Sequence, residues 1–178
     1  MFWAACCLGF FGFLRAREFT VNSPFDASIH LSVQDLQVDS TSNPTCLRVH
    51  IKCSKTDPFR QGCFIYLGRG HSSICLIAAL MAYVHVRGPT PGRLFVHQDG
   101  QPLSRVQLPH FLQSTYSAAE IPGSFSGHSF RIVAATTAAQ QGPPDHLIKI
   151  MGRGSSNAHQ QYIRTPVQSI LEVVGRLR

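Results

Sequence analysis

The sequence predicts an α+β fold, mainly helical, with a small antiparallel three-stranded sheet. Helix-length stretches at 2–19, 72–86, 104–119 and 132–141 account for the helical part. Between the first two of them, three short runs alternate apolar and polar residues as half-buried strands do. A chain of 178 residues, 44% of them hydrophobic, fills one domain well and two poorly.

The first helix is expected from Phe2 to about Phe19, which would place Arg15 and Glu18, three apart, on one helical face near its end. Asn22, Ser23 and Pro24 break it. Ile29, Leu31 and Val33 then read as a first strand, Leu47, Val49 and Ile51 as a second, and Cys63 to Leu67 as a third. A turn at Lys55, Thr56, Asp57 and Pro58 joins the last two and leaves Lys52 and Lys55 at the tip or edge of the sheet. From Ser72 to Val86, Ile74, Leu76, Ile77, Leu80, Met81 and Val84 recur at helical spacing until the Gly88 to Gly92 turn. Leu94, Phe95 and Val96 suggest a short strand, and a helix with Ser104 as its cap runs to Ala119. A polar, glycine-containing loop presents His128. An alanine-rich helix follows from Ile132 to Gln141, then another, capped by Asp145, from about His146 to Met151. The last helices are expected over Ala158 to Tyr162 and Val167 to Leu177.

Composition narrows the function classes. Lys and Arg number 16 against 9 Asp and Glu, a formal charge of +7 that favours a polyanionic partner without saying which. The six cysteines form no CxxC pair, and His71 with Cys75 lacks a second pair of ligands, so no metal or other cofactor is expected. Met1 to Leu14 is apolar but lacks the basic start of a signal peptide, and Arg15, Arg17 and Glu18 interrupt it before membrane-span length. It reads as a buried helix of an intracellular protein with no membrane association, and something is expected to precede it.

Three short stretches stand out: Gly12-Phe13-Leu14-Arg15-Ala16-Arg17-Glu18, then Gly127-His128-Ser129-Phe130-Arg131, then Gly152-Arg153-Gly154-Ser155-Ser156 leading to Tyr162. In order and spacing they resemble the tyrosine recombinases, or phage integrase family. That family's signature is an arginine in a GLRxxE helix, an HxxR pair, and a tyrosine roughly thirty residues later; here Arg131 and Tyr162 are 31 positions apart. The wording of Lys55 to Phe59 and of Tyr162 to Pro166 looks most like the recombinases of DIRS-type and Ngaro-type retrotransposons. Taken singly, HxxR and RxxE are common. Together and in order they are specific.

The resemblance implies the tyrosine recombinase catalytic-domain fold over 1–178, without the family's amino-terminal core-binding domain. It also implies strand cleavage and rejoining on double-stranded DNA, for recombination or integration of a mobile element, within a homotetramer and in the nucleus. Phosphodiester exchange without a metal needs a nucleophile, a clamp for the transition-state charge and a proton donor for the leaving oxygen. Tyr162 would attack and form a 3′-phosphotyrosyl bond. Arg15 and Arg131 would hold the non-bridging oxygens in bidentate fashion, with Glu18 in support of Arg15 or a neighbouring backbone. Lys55 would protonate the 5′-oxygen, with Lys52 as its rival, and His128 would accept the tyrosyl proton or bond the phosphate. The family usually places a His or Trp donor just before a Ser-Ser-type stretch, where this chain has Gly154. His159 and Arg153 are expected to face elsewhere. The alternative is therefore a catalytically decayed, transposon-derived DNA-binding module on the same fold.

Overall fold

The computed structural model describes residues 1–55, 57, 59–70 and 74–153. The helices expected over Ala158 to Tyr162 and Val167 to Leu177 lie outside the described residues, as do Gly154 and Tyr162.

Helix α1 (Phe2–Phe11) is apolar on all sides and is accordingly a central core element, with Ala4, Ala5, Cys7 and Leu8 buried. It ends eight residues earlier than the sequence suggested. Gly12 donates to Leu8 O at 3.0 Å, and Phe13 then turns left-handed (φ 51), so the helical ladder cannot continue toward Phe19. A 3-10 turn over Ala16–Glu18 follows.

The sheet is three-stranded and antiparallel, in the order β1 (Leu36–Val38), β2 (Cys46–Ile51), β3 (Cys63–Gly68). The register sets Leu36 opposite Val49, and Val49 opposite Ile65. Alternation along β2 is clean: Leu47, Val49 and Ile51 are buried, whereas Arg48 and His50 look outward. The first strand lies later than expected. Ile29 to Val33 does not pair as a strand, because Ser32 donates through its N–H and hydroxyl to Asp35 Oδ2 (2.8 and 2.7 Å) and closes a 3-10 turn at Val33–Asp35.

Helix α2 (Leu76–Arg87) packs on α1 through Leu76, Ile77 and Leu80, and stops at Gly88, whose φ of 76 suits glycine. The segment after it makes only isolated bridges, Arg93 with Ser32 and Val96 with Pro102, rather than the short strand expected at Leu94 to Val96. Arg87 takes the carbonyls of Leu94, Thr90 and Arg93, which fixes this segment against the end of α2 instead. Helix α3 (Gln107–Ala118) is amphipathic and buries Leu108 and Leu112; Ser104 Oγ accepts from the Gln107 N–H, as a cap should. Helices α4 (Ser129–Gln140) and α5 (Asp145–Met151) complete the described chain.

The main core joins α1, the inner sheet face, α2 and α3. A smaller cluster of Phe13, Ala134, Ala135 and Ile148 lies where α4 and α5 meet the end of α1. The second cluster matters for function, because it fixes three separate pieces of chain around one buried carboxylate. No described helix is long and apolar enough to cross a membrane.

Candidate active site

Glu18 is the hub of the site. Its side chain is completely buried, and Oε2 accepts the Arg15 backbone N–H at 2.9 Å, closing the 3-10 turn. Three guanidinium groups surround the carboxylate. Arg153 Nη2 donates to Oε2 at 2.8 Å, Arg15 Nη1 lies 3.5 Å from Oε1, and Arg131 Nη2 lies 3.6 Å from Oε2. So Arg15 and Glu18 do meet, but through the turn after α1 rather than on a helical face.

The broken end of α1 supplies the rest. Phe13 O accepts Arg131 Nε at 2.9 Å and Arg153 Nη2 at 3.3 Å, and Gly12 O accepts Arg153 Nη1 at 3.0 Å. Carbonyls left open at a helix C-terminus attract cations, so the early stop of α1 is what gathers the arginines. Helix α4 is brought into place by a close approach at Gly9, where a Cβ would lie 3.0 Å from the Phe130 ring. Ala16 also donates to Gly127 O at 2.9 Å, which ties the loop before His128 to the Arg15 turn.

Three guanidinium groups converge on one carboxylate at a nearly closed position. Arg15 Nε is buried and has no hydrogen-bond partner among the described residues, a donor still open to an acceptor. A buried guanidinium donor of this kind is suited to an oxyanion.

His128 immediately precedes α4. The residue is exposed overall, yet partial desolvation of the ring, and then the fields of Arg15, Arg131 and Lys55, hold its pKa below the usual imidazole range. The structure thus brings His128 into the electrostatic neighbourhood of three of the expected cations. Lys55 is exposed on the β2–β3 loop, whose shape is held by Asp57 accepting from the N–H groups of Gln61 (3.1 Å) and Gly62 (2.7 Å). Lys52 is placed differently. Its ammonium is 2.6 Å from Asp35 Oδ2 and donates to the carbonyls of Ala27 (2.8 Å) and His30 (3.2 Å).

Arg153 was expected to face elsewhere and instead turns inward, with its side chain 11% exposed. Nothing in its local sequence announces this, because its partners lie 135 to 141 residues earlier. An apolar cleft of about 760 Å³ lies between α1, α3 and α4 and includes Trp3, Phe10, Phe111 and Tyr116; none of the cations lines it.

Comparison with known proteins agrees with this geometry. Residues 44–168 match the phage integrase family. No curated protein matches the sequence. Among solved structures, the XerA recombinase is 16% identical, with a TM-score of 0.69 over 97% of this chain and 55% of that one. The XerH site-specific recombinase bound to its difH substrate, in a pre-cleavage complex, is 17% identical (TM-score 0.66; 98% and 46% covered). The Tn1549 transposon integrase in complex with a circular intermediate DNA is 15% identical (TM-score 0.65; 98% and 58% covered). The chain thus spans about half the length of the structures it matches, and it has their catalytic-domain fold.

Proposed function

The chain belongs to the phage integrase family of tyrosine recombinases, and from that premise we propose that it cuts and rejoins double-stranded DNA through a covalent bond to Tyr162. The observation that carries the proposal is the convergence of Arg15 and Arg131 on the buried Glu18, with Arg15 Nε still open to an acceptor among the described residues. In this reading residues 1–178 act as the catalytic domain. Arg15 and Arg131 hold the two non-bridging oxygens of the scissile phosphate while Glu18 holds Arg15 in its turn. His128, whose pKa is lowered by partial desolvation and then by its cationic surroundings, accepts the proton of the Tyr162 hydroxyl as that oxygen bonds to phosphorus. The bond from phosphorus to the 5′-oxygen breaks, and Lys55 delivers the proton that the leaving oxygen needs. A 5′-hydroxyl later reverses the same steps, so the bond energy is kept.

Lys55 is preferred to Lys52 because Lys55 is exposed on a loop, whereas Lys52 is committed to Asp35 and two carbonyls. The partner is duplex DNA, supported by the charge of +7 and by the DNA-bound state of the XerH and Tn1549 proteins. Likeness to a transposon integrase also supports the finer reading, recombination or integration of a mobile element by an oligomer assembled on DNA.

A catalytically decayed DNA-binding module is the second reading, favoured by Gly154, which has no side-chain donor where the family usually has one. A missing transition-state donor costs about 10²–10³ in rate, so on the first reading the protein is slow rather than inert. A nicked suicide duplex and denaturing electrophoresis separate the two. A protein and DNA adduct is expected from the chain and not from Tyr162→Phe, with DNA affinity nearly equal in both. Binding without any adduct would establish the decayed module.

A further inference from the structure

We propose that Arg153 is a positioning residue: it locks the turn after α5 onto the Arg15 turn, and so sets the geometry of the phosphate clamp and the starting point of the segment that carries Tyr162. The inference rests on the strand-transfer reading above for its catalytic part, and on the described contacts alone for the lock itself.

Arg153 spends its guanidinium on the protein. Nη1 donates to Gly12 O, and Nη2 is shared between Phe13 O and Glu18 Oε2. The two terminal nitrogens of Arg153, so occupied, are poorly placed to take a phosphate as well. Its acceptors belong to the two elements that define the clamp, the open end of α1 and the hub carboxylate. Loss of the guanidinium would release Glu18 Oε2 and two helix-end carbonyls at once.

Backbone conformation points the same way. Arg153 is left-handed (φ 51), as is Phe13 (φ 51), and the two meet through the bond from Nη2 to Phe13 O. A side chain other than glycine held in this region is strained and persists only where surrounding contacts fix it. Glycine would relax the turn, and an arginine there is explained by what its side chain reaches. Helix α5 is only seven residues long, from Asp145 to Met151, so it needs such an anchor more than a long helix would. Tyr162 follows Arg153 by nine residues. The described contacts act on the Arg15 turn instead, where a displacement of about 1 Å can cost roughly 100-fold in rate.

The test compares the chain with Arg153→Met and Arg153→Lys. Backbone amide exchange, followed by mass spectrometry without DNA, reads the lock directly. In Arg153→Met the peptide covering Gly12 to Thr20 should exchange roughly 10–100-fold faster, as expected for losing charge-assisted bonds, while β2 and β3 peptides stay unchanged. Arg153→Lys should fall between the two, since it keeps the charge and loses the planar fork. Single-turnover adduct formation should drop roughly 100-fold in Arg153→Met with affinity for the duplex nearly unchanged. The salt dependence of duplex binding should stay unchanged in Arg153→Met, because a side chain spent on the protein neutralises no phosphate. Unchanged exchange at Gly12 to Thr20 overturns the lock. A salt slope lowered by about one in Arg153→Met makes Arg153 a direct phosphate ligand and overturns the positioning role. If the unaltered chain forms no adduct, the strand-transfer reading fails while the exchange result still decides the lock.

Discussion

His128 shows how a single side chain takes its chemistry from neighbours distant in sequence. Its ring is desolvated in part and faces Arg15, Arg131 and Lys55, each of which opposes a further positive charge. Its folded pKa therefore lies below the unfolded value of about 6.5. Between those two values the unfolded chain binds the proton more readily than the folded one. The contribution of His128 to stability is thus complete above about pH 6.5 and is lost as pH falls through the lower folded value. A base must be neutral to act, so the rate of adduct formation should stay flat from pH 8 down through the ordinary imidazole range and fall only below it. His128→Gln should be slower throughout and lose that acid limb. A wild-type limb centred above pH 6.5 in a pH–rate profile would remove His128 as the base. Glu18 is a comparable case. A carboxylate in an RxxE pair is ordinarily a solvated partner, and here it is fully enclosed by three arginines.

At the scale of elements, the sheet gives two lysines of the same stretch different surroundings, one engaged and one exposed. Lys52 follows β2 directly and pins the end of that strand to the 3-10 turn at Asp35 and to the carbonyls of Ala27 and His30. Lys55 stands three residues further, on the loop shaped by Asp57. Two substitutions should therefore have opposite signatures. Lys52→Met takes the ammonium from a nearly buried Asp35 that keeps only its Ser32 bonds and the His50 ring at 3.8 Å, and should destabilise the fold by about 3 kcal/mol, with chemistry affected only through stability. Lys55→Met should leave the melting temperature almost unchanged and slow adduct formation by roughly 10²–10⁴-fold. Thermal melts set beside single-turnover rates check both, and a Lys55 variant that cleaves normally would return Lys52 to candidacy. The early end of α1 has similar weight among the elements. Had the helix run on to Phe19, its last carbonyls would have been bonded within the helix and unavailable to Arg131 and Arg153.

Across the whole molecule, the charge of +7 and the arginine cluster at Glu18 act at different ranges. Exposed Lys and Arg attract any polyanion and release its counterions, whereas on the proposed mechanism the enclosed cluster acts on one phosphate at a time. Affinity for duplex DNA should accordingly fall by about 10³–10⁵ between 50 and 200 mM salt if six to ten phosphates are contacted, with little dependence on base sequence. A titration of binding against salt concentration measures this, and a flat response would point to a partner that is not nucleic acid.

The sequence by itself determined the mixed fold class, strands β2 and β3, the cores of α2 to α5, and the order of Arg15, Glu18, His128 and Arg131 along the chain. Those features are written in local periodicity and in spacing, which any reading of the residues can recover. Tertiary structure decided the rest. Ile29 to Val33 has the alternation of a strand, but the bonds from Ser32 to Asp35 outcompeted pairing there and moved β1 to Leu36–Val38. The periodicity of α1 gave no sign of its stop at Phe11, because a left-handed Phe13 is tolerated only where the cluster with Ala134, Ala135 and Ile148 receives its ring. The sequence favours Lys55 with Lys52 as its rival, and the fold adds that Lys52 is engaged by Asp35 and two carbonyls whereas Lys55 is exposed. Arg153 is the plainest case: its partners Gly12, Phe13 and Glu18 lie at the other end of the chain, and contacts of that separation come from how helices pack rather than from any local pattern.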